Sequence, residues 1–203
     1  DEEMTKDLTG AVQSFFDEEI LPRHREWARL VSARRSATAL LLELRKKARA
    51  AGLWNFALPD RLSNAEFAPL AEIMGRLPWA SEVFNCQAPD VPNMIMLQHV
   101  ATAAQKAKWL QPLLEGHIRS AFGMTEPDVA SSDATNIATT LRREGGDWVI
   151  DGRKWYITGA AHLFGGEAPL VDDLTRRPKF ARKMKVVAAC GNGTAGAFAP
   201  QML

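Results

Sequence analysis

The sequence has 203 residues, of which 46% are hydrophobic and 24% charged, proportions that are ordinary for a globular protein. Its 25 basic and 24 acidic side chains leave a net charge of +1, so charge attracts neither nucleic acid nor an anionic membrane, and neither is expected as a partner. The longest apolar runs, such as residues 39–42, are too short to cross a bilayer, which excludes membrane insertion.

The cysteines and histidines of the sequence indicate which disulfides and metal sites can be expected. Cys86 and Cys190 lie in unrelated contexts, so we expect no disulfide framework and a reducing, cytoplasmic compartment. The N-terminus opens with acidic residues, unlike a signal peptide. The histidines occur singly, without a second ligand at metal spacing, so no metal site is predicted; they are His24, His99, His117 and His162.

The chain up to about Gly116 has a helical pattern. Apolar residues recur at helical spacing from Leu8 to Ile20 and predict a first amphipathic helix. Four further helices are predicted from caps, apolar periodicity and stop signals. They are a helix capped by Ser36 and ending near Gly52, one from Asn64 to Arg76, one capped by Asp90, and one from Ala103 to Leu114 with a Thr102/Gln105 capping box. A helical bundle over residues 1–117 follows.

The pattern becomes β-like after His117. Short β-prone runs span residues 118–124, 137–143, 148–150 and 153–158. The segment 144–147 is predicted to form a turn, and Asp151-Gly152 a second, two-residue hairpin turn. The predicted class is therefore α+β: a helical bundle followed by a partial antiparallel β-domain at residues 118–160 and a short α/β tail at 161–203.

Two segments of the β-like zone carry candidate binding chemistry. Side chains alternate across a strand, so Trp155 and Ile157 should share a core face, and Tyr156 and Thr158 the opposite face. An aromatic ring beside a hydroxyl suits a flavin ring, although such a pair is more often plain cross-strand packing. The polar loop at residues 122–133 could hold a phosphate or a polar ring edge, or be a surface loop with Asx-type turns.

A resemblance to the acyl-CoA dehydrogenase family is carried by two ordered motifs, MTEPDVASSDATNI at residues 124–137 and VIDGRKWYITG at 149–159. The chain is similar above all to the subgroup that has Ala-Ser-Ser-Asp where most relatives have Gly-Ser-Asp. The similarity covers about residues 1–160. It implies a helical N-terminal domain, a β-domain that holds FAD, acyl-CoA as substrate, and a homo-oligomer that shares FAD between subunits.

The resemblance also assigns roles to individual residues. It implies that Phe122, Met124 and Thr125 contact the flavin through backbone amides and the threonine hydroxyl. Ser131 or Ser132 would reach the FAD pyrophosphate or the acyl-CoA, and the doubled serine leaves the choice open.

In the second motif, the resemblance places Tyr156 against the flavin face, where most relatives have tryptophan. Ile157 belongs to the same cofactor-binding strand, and Thr158 would hydrogen-bond near the reactive nitrogen. In this family a carboxylate of a C-terminal helical domain removes the α-proton while a hydride passes to the flavin. Nothing after Ala160 resembles that domain, and Glu126 has a structural part in its motif. No catalytic residue is assigned, and the chain alone is expected to be inactive.

The tail allows a different interpretation. Gly191, Gly193 and Gly196 match a dinucleotide-binding fingerprint but lack the following strand and acidic residue. Residues 184–200 resemble the phosphoglucomutase and phosphomannomutase family, although the phosphoserine and metal loops of those enzymes are absent. Nucleotide or sugar-phosphate binding at this glycine turn is one alternative function, and a non-catalytic helical interaction module is another.

Overall fold

A computed structural model describes residues 2–33 and 35–158. The described residues divide into two compact units, with the boundary between residues 118 and 119. The predicted α/β tail at 161–203, with its glycine turn and mutase-like segment, lies outside the described residues. No helix among the described residues is long and apolar enough to span a bilayer.

The first unit is built from helices. They are α1 (Glu2–Phe15), α2 (His24–Ser32), α3 (Thr38–Ala50), α4 (Asn64–Gly75), α5 (Ala80–Val83), α6 (Asp90–Val100), α7 (Ala103–Gln105) and α8 (Gln111–Leu114). A π-helical turn (Phe16–Ile20) and a 3-10 turn (Leu21–Arg23) lead from α1 into α2, and a second π-helical turn (Lys106–Leu110) joins α7 to α8. The predicted helices are present, whereas α2 and α5 were not predicted.

Local capping explains where several helices begin. The Thr102/Gln105 capping box is confirmed, since each residue's side chain accepts a hydrogen bond from the other's backbone N–H. A second box, formed by Ser63 and Glu66, opens α4. The prediction that Asp90 caps α6 was wrong: Asp90 is the first helical residue, and its buried carboxylate accepts a hydrogen bond from the Gln87 amide.

The apolar stripe of the first helix forms part of the core. Val12, Phe16 and Ile20 are fully buried, and they belong to a cluster that includes Leu44 and Trp79. A smaller cluster joins Leu58 and Met94 to Leu110 and Leu113 of the last helical segment. Burial of this continuous apolar surface gives the first unit its own hydrophobic core.

The second unit contains one antiparallel hairpin within its described residues. Strands β1 (Thr140–Glu144) and β2 (Asp147–Asp151) pair in register, from Thr140 opposite Asp151 to Glu144 opposite Asp147. The predicted turn is confirmed at Gly145-Gly146, where Gly145 has a φ of 61°. The α+β class is therefore confirmed.

Three predictions for the β-like zone were wrong. Asp151-Gly152 is not a hairpin turn, because Asp151 is paired in the ladder and Gly152 lies against Thr139. A Cβ on Gly152 would come within 2.2 Å of the Thr139 hydroxyl oxygen, so close packing explains this glycine. Residues 118–124 and 153–158 do not form regular strands.

Candidate functional site

Glu126, in the first motif, lies at the centre of a cluster of polar contacts that includes Lys154 of the second motif. Its carboxylate accepts hydrogen bonds from the backbone N–H groups of Ala138 (2.7 Å) and Thr139 (2.9 Å). The Thr139 hydroxyl also donates to it, and the Lys154 ammonium lies 2.8 Å away. The side chain is 4% exposed, so these four donors compensate the loss of water around a buried charge.

The Lys154–Trp155 segment lies along the Met124–Glu126 segment. The Lys154 ammonium donates to the Met124 carbonyl at 3.0 Å as well as to Glu126. The Trp155 backbone N–H donates to the Thr125 carbonyl at 3.1 Å. The two segments that carry the predicted flavin contacts are therefore neighbours in space, although 28 residues separate Glu126 from Lys154.

The electrostatics of this cluster keep Glu126 ionised. The hydrogen bond from Lys154, followed by the bonds from Thr139 and Ala138, lowers the pKa of Glu126 to about 2 against the opposing effect of burial. A carboxylate that is so acidic and so fully hydrogen-bonded is a weak proton acceptor. Glu126 therefore has a structural part here, and no base is assigned to it.

The two adjacent serines differ in burial. Ser131 is 5% exposed, and its hydroxyl accepts from the Glu126 N–H at 2.7 Å and donates to the Val129 carbonyl at 3.2 Å. Ser132 is exposed, and its hydroxyl makes no hydrogen bond within the described residues. Asp133 caps a 3-10 turn (Ala134–Asn136) that follows. Of the two serines, only Ser132 presents a hydroxyl to solvent.

The flavin contacts predicted in the first motif, Phe122, Met124 and Thr125, are at least partly accessible. Phe122 is 59% exposed, and the Met124 N–H donates to the Phe122 carbonyl at 3.1 Å. The Met124 amide is thus already engaged within the chain. In contrast, the Thr125 N–H and hydroxyl have no partner among the described residues. Thr125 thus offers two donors that make no hydrogen bond within the described residues, and the Phe122 N–H is a third.

Residues 155–158 of the second motif do not alternate between buried and exposed side chains as predicted for a strand. Ile157 is 6% exposed as predicted, but Trp155, predicted to share its core face, is 37% exposed. The cause is Tyr156, whose φ of 51° lies in the left-handed region and breaks the extended backbone. The rings of Trp155 and Tyr156 meet edge to face with centroids 4.8 Å apart. Tyr156, 49% exposed, and Thr158 both remain accessible.

Two protein-family models match the chain over consecutive stretches. The acyl-CoA dehydrogenase N-terminal domain matches residues 2–117, and the acyl-CoA dehydrogenase middle domain matches residues 121–165. The chain belongs to the acyl-CoA dehydrogenase family. The site described above lies in the part that matches the middle domain. The predicted resemblance of the tail to phosphohexomutases finds no support in these matches.

Curated members of the acyl-CoA dehydrogenase family share this similarity. The chain is 54% identical over 129 residues to Mycobacterium tuberculosis FadE2, a probable acyl-CoA dehydrogenase, covering 62% of this chain and 32% of that protein. It is 46% identical over 157 residues to acyl-CoA dehydrogenase family member 10 of Mus musculus, covering 71% of this chain and 15% of the relative. The chain thus spans a third or less of these relatives.

Solved acyl-CoA dehydrogenase structures share the fold. A homologue from Mycobacterium abscessus is 51% identical with a TM-score of 0.70, and the match covers 78% of this chain and 43% of that one. A glutaryl-CoA dehydrogenase from Mycobacterium smegmatis, solved with FADH2, has a TM-score of 0.59 over 79% of this chain and 40% of its own. At 21% identity the second structure supports the fold alone.

Lys154 is the site residue that the motif analysis did not single out. Its positive charge gave no indication of a site, because Lys154 follows Arg153 in a short basic pair that is typical of an exposed segment. Its parity with Tyr156 and Thr158 would be informative only in a regular strand, which residues 153–158 do not form. Its partner Glu126 lies 28 residues away, so no local pattern identifies the pair.

Proposed function

We propose that this chain forms part of the FAD site of an acyl-CoA dehydrogenase, an oxidoreductase that introduces a double bond between the α and β carbons of acyl-CoA thioesters. The observation that carries the proposal is the docking of Lys154 and Trp155 on the Met124–Glu126 segment. This contact lays the segment that carries Thr125 along the segment that carries Tyr156, and in the proposal these are the two residues that an isoalloxazine ring would contact.

The exposed groups of this region fit a flavin. Thr125 offers an N–H and a hydroxyl, and Thr158 a hydroxyl for a ring nitrogen, none of which makes a hydrogen bond within the described residues. Tyr156 offers a half-exposed ring. Phe122, Met124 and Ile157 belong to the same two segments in this proposal, and Ile157 is buried against Ala121. When bound, the flavin would supply a hydride acceptor.

The serine loop is proposed to hold the charged end of a ligand. Ser132 has an accessible hydroxyl next to the Asp133-capped turn, whereas the Ser131 hydroxyl is used internally. We assign Ser132 to the FAD pyrophosphate or to the acyl-CoA substrate, and Ser131 to the loop that presents it. An acyl-CoA dehydrogenase from Bacillus anthracis that shares this fold, at 24% identity, was solved in complex with FAD.

The proposal assigns no catalytic base to the described residues. Glu126 is the buried carboxylate of the site, and its bonds and its pKa of about 2 fit it poorly for proton abstraction. We therefore expect the chain by itself to bind FAD without oxidising acyl-CoA. A homo-oligomer in the cytoplasm is part of the same proposal, and the free thiol of Cys86 is consistent with a reducing compartment.

An FAD titration of the full chain tests the proposal. We expect quenching of flavin fluorescence and a perturbed visible absorption band at micromolar FAD. FMN, which lacks the adenylate half, should bind more weakly if Ser132 contacts the pyrophosphate. Acyl-CoA added to the loaded protein should leave the flavin absorbance unbleached. Absence of any FAD binding would reject the proposed function.

A further inference from the structure

Lys154 is a largely buried cation that contacts both ends of a three-residue segment. Its side chain is 17% exposed, and its ammonium bonds the Met124 carbonyl and the Glu126 carboxylate. Resting on the proposed function, we propose that Lys154 is a positioning residue for the flavin. It fixes Thr125 between two anchored neighbours and holds this residue along the segment that carries Tyr156.

The contacts form a continuous chain of hydrogen bonds. The backbone N–H groups of Ala138 and Thr139 fix the Glu126 carboxylate, Glu126 fixes Lys154, and Lys154 holds the Met124 carbonyl. Charge-assisted hydrogen bonds of this kind are stronger than neutral ones. The loop and the segment that follows the hairpin are therefore linked by the Lys154 ammonium group, in addition to the bond from the Trp155 N–H to the Thr125 carbonyl.

Thr125 is held by these contacts without losing its own donors. Lys154 bonds the residue before it and the residue after it, and the Trp155 N–H bonds the Thr125 carbonyl. The Thr125 N–H and hydroxyl take no part in the cluster. Preorganised donors of this type bind a ligand without the entropic penalty of ordering a loop. The arrangement thus fits a positioning role for Lys154.

Apolar packing contributes little to the position of the loop in the described part of the second unit. Among the residues from 119 to 158 whose burial the structure describes, Ile157 is the one buried hydrophobic residue. Glu126 and Ser131 are buried there as well, and both belong to the polar cluster. The position of the loop therefore depends on polar contacts, and loss of Lys154 would leave a buried carboxylate without its cation.

Three variants of the full chain test this inference. Lys154→Met removes the ammonium group and keeps an unbranched apolar side chain, Lys154→Arg keeps the charge, and Arg153→Met removes an exposed neighbouring charge as a matched control. We expect Lys154→Met to weaken FAD binding by about tenfold or more, since hydrogen bonds to charged groups are the strong ones. Arg153→Met should stay within about twofold, as is usual for surface substitutions.

Two readouts separate positioning from general stability. At saturating FAD, the visible spectrum of Lys154→Met should differ from that of the unsubstituted chain, and Lys154→Arg should recover part of both affinity and spectrum. If Lys154 only stabilised the fold, the saturated spectra would coincide. Lys154→Met with unsubstituted affinity and spectrum would overturn the inference.

Hydrogen exchange of the Trp155 amide, measured without FAD, distinguishes failure of this inference from failure of the proposed function. The Trp155 N–H donates to Thr125, so its exchange should accelerate in Lys154→Met but not in Arg153→Met. If the unsubstituted chain binds no FAD, the proposed function fails, while accelerated exchange still supports anchoring by Lys154. Unchanged exchange in Lys154→Met would overturn the anchoring whatever the FAD result.

Discussion

Two adjacent serines have different environments, and this difference gives a prediction at the scale of single residues. Ser131→Ala deprives the buried Glu126 N–H of its acceptor, so it should lower the free energy of unfolding by about 1–3 kcal/mol. Ser132→Ala should change it by less than about 0.5 kcal/mol, because Ser132 is exposed. Denaturant unfolding measures both. FAD affinity should fall in Ser132→Ala, and an unchanged affinity would remove Ser132 from the site.

Thr158 gives a second residue-scale prediction, now on ligand affinity. Thr158→Val removes one hydroxyl from an exposed position and should weaken FAD binding by about 1 kcal/mol, the usual net value of one hydrogen bond. Thr140→Val, in β1 and outside the proposed site, is the control and should leave FAD affinity unchanged. Isothermal titration calorimetry would compare the two. Equal affinities for both variants would exclude Thr158 from the flavin site.

Glu126 makes stability depend on acidic pH. Its folded-state pKa is about 2, below the ordinary value of 4.5, so its contribution to stability is fully present above pH 4.5. The contribution is lost as pH falls from 4.5 towards 2, because the unfolded state then binds the proton first. Unfolding of the chain and of Glu126→Gln, followed from pH 6 to pH 2, should show a stability difference that shrinks on acidification. A difference that stays constant would contradict this assignment.

At the scale of secondary-structure elements, two glycines in the helical unit differ in the space that is available for a side chain. Gly116, after α8, has a φ of 73°, and an added Cβ would lie 2.5 Å from the Arg45 guanidinium and 2.7 Å from the Trp54 ring. Arg45 cannot easily move away, because it is buried and donates to Asn85. Gly10 lies within α1 with open space around it.

These environments predict opposite effects of the same substitution. Gly116→Ala should destabilise the helical unit by about 1–3 kcal/mol through strain and steric overlap. Gly10→Ala should stabilise it by about 0.5–1 kcal/mol, because alanine loses less backbone entropy in a helix. Thermal unfolding followed by far-UV circular dichroism would measure both. A neutral Gly116→Ala would mean that the turn after α8 relaxes freely.

At the scale of the whole molecule, the two units differ in how they are stabilised. The helical unit has an extended apolar core, whereas the described part of the second unit has one buried hydrophobic residue and a polar cluster. Limited proteolysis should therefore yield a stable product that ends near Gly116. FAD should protect residues 119–158 from cleavage, because a ligand that binds the folded state stabilises it.

The same digestion addresses the alternative function as a helical interaction module. A stable helical product whose yield does not change with FAD would favour that module and contradict the flavin site. Protection through Thr158 on addition of FAD, with no effect of FMN at the same concentration, would favour the dehydrogenase interpretation.

Much of the helical unit was predictable because its signals are local. The Thr102/Gln105 box, the Val12 to Ile20 stripe and the glycine at position 116 act within one or two helical turns. The Gly145-Gly146 turn was predictable for the same reason. Asp90 was misassigned as a cap because its burial beside Gln87 depends on the surrounding helices, which local sequence does not report.

By itself, the sequence determined the α+β class, most helices, the hairpin turn and the family, since these follow from local periodicity and from motif order. The tertiary structure decided which groups of the candidate site are free. The Ser131 hydroxyl is hydrogen-bonded within the loop, whereas Ser132 is accessible. Trp155 lies outside the core because the backbone of Tyr156 has a left-handed φ, and Lys154 pairs with Glu126. These outcomes depend on burial and on contacts between distant segments, and strand parity carries no information about either.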